Sequence, residues 1–166
     1  MQARQDIATT LIEQFAEVAD QLETYLDRIA WETYVPSEQR TAGQLVDHIA
    51  WAWEAESAAF RAIAGGASGS GWTKEWLDAQ NAEQADMSAR RSRREIMARY
   101  QVSRGLALAF IRGLNETELQ RTGTHMPGEP ARSVASWIEV CLIGHPLEHL
   151  PEIASAVTTV EVPGAK

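Results

Sequence analysis

Three of the four histidines in this chain have the spacing of metal ligands. His145 and His149 lie four residues apart, so on a helix they project from one face, stacked by a single turn. Two imidazole nitrogens placed that way can reach one ion. His48 belongs to a separate apolar-periodic segment, three residues after Leu45 and one before Ile49. By the helical period it falls about 60° from the centre of that segment's inward stripe. Three imidazoles from two helices leave coordination positions free for water or a substrate, which is the pattern of an open, catalytic site. Burying that many imidazoles without partners is costly. A shared ligand therefore accounts for them better than three separate core histidines do.

Other residues near these positions carry chemistry of their own. Cys141 lies one turn before His145 and is read as a fourth ligand, a nucleophile or simply a small buried hydrophobe. Glu56 lies two turns beyond His48, about 12 Å along the helix, too far to join the same coordination sphere. A buried carboxylate there would have a raised pKa and could act as a base elsewhere in the cavity. The plainer reading pairs it with an arginine or turns it to solvent. Glu148 and Glu152 flank the histidine pair and either orient an imidazole or form a solvated face. Packing accounts for most of Trp51, Trp53, Trp72, Trp76 and Trp137. Trp72 follows a glycine-rich run and is expected to be a mobile wall over the site. Trp51, Glu56, Trp72 and Cys141 are thus the candidate substrate contacts. His125, between Gly123 and Pro127, is expected to be exposed, and Arg90 to Arg94 to be a solvated face.

Composition limits the alternatives. The chain has 166 residues, which suits one domain, taken as 1–166. Asp plus Glu (23) exceed Lys plus Arg (15), giving a net charge of -8 that argues against nucleic acid as the main partner. A single cysteine excludes an intrachain disulfide and any zinc site built from several thiolates. Metal binding would then have to rest on histidine and carboxylate. No apolar stretch approaches the roughly 20 residues of a membrane helix, and the first twenty residues lack the pattern of a signal peptide. A soluble cytoplasmic protein with no membrane role is expected.

Positioning the histidines requires long helices, and the sequence has the periods for them. Ile7, Leu11, Phe15, Val18, Leu22, Tyr25 and Ile29 recur at steps of four and three, predicting a first helix that ends near Trp31. Thr41 can cap a second helix with the stripe Leu45, Ile49, Ala52, Ala59, Phe60 and Ile63. That helix ends at Ala64-Gly65-Gly66, and the run to Gly71 reads as a flexible loop. Trp72, Trp76 and Leu77 suggest a short helix or lid. A third helix is expected from about Ser88 to Arg112, with arginines oddly placed at its start for the helix dipole. Asn115 to Arg132 is a long, loop-rich connection. A fourth helix begins at Ser133, and the tail after Val157 is read as extended or frayed. The fold class is all-α, a four-helix bundle.

The segments TAGQLVDHIAWAWE and WIEVCLIGHPLEHLPEI, with a tryptophan-containing stretch between them, resemble the DinB/YfiT-like superfamily. That superfamily includes the metal-binding domain of mycothiol-dependent maleylpyruvate isomerase. The resemblance implies a four-helix bundle with a metal triad of His48, His145 and His149, and implies fold and site better than substrate. Pro146 departs from a plain helix. It removes a backbone donor and clashes with the carbonyl of Leu142, so it predicts either a kink that preserves the pair or a break that separates it.

These readings lead to a metal-dependent enzyme, a hydrolase or thiol-dependent transferase. It would bind one divalent ion, zinc or nickel first, with iron or copper also compatible with imidazole. Its partners would be a small-molecule substrate, a low-molecular-weight thiol among the candidates, and a second copy of the chain. The alternative is a metal-free protein that sequesters a small apolar molecule in a tryptophan-lined cavity. A third reading makes Trp51 and Trp53 a dimer patch.

Overall fold

A computed structural model describes residues 6–157. The tail beyond Val157 lies outside the described residues. Helix α1 spans Ile7–Leu26 and buries Leu11, Phe15, Val18 and Leu22, the central part of its predicted stripe. It stops one turn earlier than the period suggests. Ile29 instead leaves the helix and bridges to Val157, where Ala30 N–H donates to the Ala156 carbonyl at 2.8 Å.

A two-residue ladder, β1 (Tyr34–Val35) with β2 (Arg40–Thr41), turns the chain into helix α2 (Ala42–Ala64). Thr41 caps α2 as expected. Its hydroxyl accepts from Gln44 N–H at 3.2 Å, and the Gln44 side chain accepts from Thr41 N–H at 2.8 Å. This reciprocal pair satisfies two amides of the first turn that would otherwise be open. Gly43 is required here, because a Cβ would lie 2.8 Å from Trp31 Cε3.

The middle of the chain departs from expectation. Helix α3 spans Lys74–Ala89, a longer helix than the short helix or lid expected there, and helix α4 runs over Arg93–Gly113. The division falls at Ser92, whose side chain accepts from Glu95 N–H while Glu95 caps Ser92 in return. A capping box is a strong start signal, and it overrides a continuous helix from Ser88. The basic run is only partly solvated. Asp47, on α2, is fully buried, and Arg91 reaches it at 2.6 Å. Arg93 lies over the Trp31 ring at 5.0 Å and donates to the Leu26 carbonyl. A buried carboxylate needs a counter-charge, and Arg91 supplies it from the connection between the C-terminus of α3 and the N-terminus of α4.

After α4 come helix α5 (Glu116–Gln120) and a second ladder, β3 (Thr122–Gly123) with β4 (Arg132–Ser133). The final helical run has three parts without a gap. These are α6 (Val134–Trp137), a π-helical segment (Ile138–Gly144) and α7 (His145–Ser155). Helices α1, α2, α4 and this last run form the bundle, with α3 against α2. Among the described residues, no helix is long and apolar enough to cross a membrane.

Pro146 neither breaks nor sharply divides the last run. The turn before it is widened, so that His145 N–H donates to the Val140 carbonyl five residues back. Wider π turns relieve the clash that proline creates in an α-helix. Pro146 offers no N–H to Leu142, and the Trp53 indole donates to that carbonyl instead, at 2.9 Å. Trp53 is fully buried against Phe15 and Tyr100. It therefore cannot form an exposed dimer patch with Trp51.

Candidate metal centre

Helix α2 presents His48, and α7 presents His145 at its first residue and His149 one turn later. The three rings meet. Centroids lie 5.2 Å apart for His48 and His145, 5.6 Å for His48 and His149, and 4.7 Å for His145 and His149. One ring nitrogen from each falls within 4.8 Å of the other two. The Nε2 atoms of His145 and His149 are 2.9 Å apart. Nitrogens bound to one ion at about 2.0–2.1 Å lie roughly 3 Å from each other, so this donor set fits a divalent cation.

The electrostatics keep two of the rings in the form a cation needs. Burial, then the positive charge of Arg40 and the neighbouring imidazoles, lowers His48 to about 3. Burial, His149 and Arg40 lower His145 to about 4. Both are neutral at physiological pH, with lone pairs available. Polar groups stand around them, although His48 Nδ1 and His149 Nδ1 are buried with no aligned hydrogen-bond partner. Glu38 Oε1 lies 3.3 Å from His149 Nδ1, the nitrogen that faces away from the cluster. The Gln84 side chain interacts with His48 and also donates to Asp47 at 3.2 Å. Glu152, half-buried, joins Glu38 and His149 within 4.8 Å. Carboxylates and amides behind ligating histidines fix their tautomer and orientation.

A cavity of about 290 Å³ opens beside the triad. His48 and His145 form one end, and Trp51, Ala52, Leu77 and Val140 give apolar walls. The Trp51 ring stacks on His48 at 5.9 Å. Glu56 and Cys141 line the far end, with exposed Glu148 also on the wall. Trp51, Glu56 and Cys141 thus share the cavity with the triad. Trp72 does not: it packs on Trp76 at 4.7 Å and on His125 at 4.8 Å. The loop before it is held in place. Ser70 N–H donates to the Thr124 carbonyl, and a Cβ on Gly69 would lie 2.7 Å from the Thr124 side chain. Glycine here serves close approach of two backbones rather than flexibility.

That pairing also corrects the expectation for His125, which is only 8% exposed. Phe60, Trp72 and Trp137 surround its ring, and Ser70 donates to its carbonyl. Its Nε2 lies 3.0 Å from Glu56 Oε2. Glu56 therefore pairs with a histidine, where an arginine or solvent was expected. Glycine and proline around His125 hid this in the sequence, and no periodic signal pointed to it. Glu38 and Gln84 were equally invisible, since neither stands in a motif. Burial and the Glu56 carboxylate push the Cys141 thiol well up, so it is protonated and a poor nucleophile.

An all-α bundle that gathers three imidazoles beside a cavity is a candidate metal-binding protein. The family model of the DinB superfamily matches residues 14–153, and the chain belongs to that superfamily. No curated protein and no solved structure matches the chain.

Proposed function

We propose that this protein is a metal-dependent enzyme for a small molecule, with His48, His145 and His149 holding one divalent ion, zinc or nickel. The observation that carries the reading is the convergence of three ring nitrogens within 4.8 Å beside a cavity of about 290 Å³. Membership of the DinB superfamily supports it. Bound there, the ion would supply Lewis acidity to an oxygen or sulfur of the substrate.

The chain's own residues do the rest. Burial, with the charge of Arg40, keeps His48 and His145 unprotonated. Glu38, 3.3 Å from His149 Nδ1, and Gln84, beside His48, are placed to orient these rings once an ion is bound. Trp51, Leu77 and Val140 exclude water from the apolar part of a substrate. Hydrolysis and transfer of a low-molecular-weight thiol both fit this arrangement. A protonated Cys141 leaves the nucleophile to come from solvent or from such a thiol. The working unit in this reading is an intracellular homodimer, for which exposed Val102 and Leu106, one turn apart on α4, offer an apolar face.

His48→Ala should remove the triad's equivalent of metal from protein purified with zinc or nickel, measured by elemental analysis. Undiminished metal in that variant removes the triad. The same apolar walls support a second reading, a metal-free binding protein. It predicts no metal in the wild type and unchanged uptake of an apolar dye when the histidines are replaced. Light scattering tests the dimer, and a monomer at micromolar concentration discards it.

A further inference from the structure

We infer that Glu56, His125 and Cys141 form a second cation site, for a borderline or soft divalent ion, at the wall of the same cavity that Glu56 and Cys141 line. The inference stands apart from the triad and does not require it. One carboxylate oxygen, one imidazole nitrogen and one sulfur lie within 4.8 Å of one another. They come from three separately anchored elements. Glu56 lies within α2, Cys141 is on the π-helical segment, and His125 is clamped between Phe60, Trp72 and Trp137. Convergence of this kind is not a by-product of one helix face.

The donors are also under-used. His125 Nε2 lies 3.2 Å and 3.0 Å from the two oxygens of Glu56. Yet Glu56 Oε2 and His125 Nδ1 are buried with no aligned hydrogen-bond partner. Cys141 has a thiol beside that carboxylate, in surroundings that disfavour a free thiolate. A cation changes the balance: a metal–Sγ bond forms as the S–H proton leaves to solvent. Metal–nitrogen and metal–oxygen bonds take up the imidazole lone pair and the Glu56 carboxylate. No oxidant or reductant is involved. A sulfur, nitrogen and oxygen set favours zinc or cobalt over magnesium or calcium, which prefer oxygen alone.

The two sites would act separately. Along α2 they are two turns apart, about 12 Å, and along the last helix one turn, about 6 Å. Bridged two-metal centres keep their ions about 3.5–4 Å apart. Ala52, half-way between His48 and Glu56 on α2, lines the cavity that both of these residues share. A small molecule there could touch both ends.

Cobalt(II) titration of the full chain tests the inference, because only the second site contains sulfur. A near-ultraviolet thiolate-to-cobalt charge-transfer band should grow to saturation, with two equivalents retained by elemental analysis after gel filtration. Cys141→Ser should lose the band and one equivalent. His48→Ala should lose the other equivalent and keep the band. Glu56→Gln, nearly the same size, should shift the band's titration midpoint at least tenfold to higher cobalt. Absence of the band in wild-type protein at any stoichiometry overturns the inference, as does retention of both equivalents in folded Cys141→Ser. A single equivalent with the band supports this site and refutes the triad; a single equivalent without it does the reverse.

Discussion

Lowering the pH should weaken the chelated, metal-free protein by a calculable amount through His48 and His145. In the unfolded chain each imidazole takes up a proton near pH 6.5, whereas in the fold His48 does so at about 3 and His145 at about 4. Between these values the unfolded state binds more protons, so stability falls as pH falls through 6.5. At pH 5 the unfolded chain gains about 2 kcal/mol from each imidazole, hence about 4 kcal/mol from the pair. Urea denaturation in the presence of a chelator, at pH 7.5 and pH 5.0, measures the loss. Other titrating groups contribute too, so the comparison is with a His48→Gln, His145→Gln double variant that keeps them. The variant should show a loss smaller by about 4 kcal/mol over the same interval. If wild type and variant lose stability equally, the imidazoles are not held neutral by burial and Arg40. The electrostatic account of the triad then fails.

Trp53→Phe removes the donor that reaches the Leu142 carbonyl from another helix, at a place where Pro146 supplies none. Leaving that acceptor buried should cost about 1–3 kcal/mol in chemical denaturation. Arg91→Ala strips the nearest counter-charge from fully buried Asp47 while leaving Arg99 at 3.5 Å. The expected loss is about 2–4 kcal/mol, largely recovered when Asp47→Asn is added, and a double-mutant cycle showing no coupling would refute the pairing. Glu38→Gln, at the outer nitrogen of His149, should weaken zinc binding by about 10–100-fold in competition with a chromophoric chelator. Unchanged affinity would mean that Glu38 does not position the ring.

The periodic parts of this protein are legible in its amino-acid order alone. The stripes of α1 and α2 are set by a 3.6-residue period that depends only on local chain geometry, and their buried faces match it. The four-residue step from His145 to His149 has the same origin. The break at Ser92 is also local, but its capping box lies inside a segment that otherwise reads as continuous helix.

What the sequence determined by itself, then, was an all-α bundle and a pair of imidazoles stacked on one face, because both follow from spacing along a single helix. Tertiary structure decided the rest. Whether Pro146 would spoil that pair depended on a π-helical turn and on Trp53, which comes from 89 residues away to reach Leu142. Whether His125 would be exposed depended on a pairing of two loops, Gly69 with Thr124. That pairing carries His125 into an aromatic clamp beside Glu56. These are contacts between segments remote in sequence, and no local period encodes them. The imidazoles of His48 and His145 are neutral for the same reason: desolvation and the field of Arg40 exist only once the helices have packed.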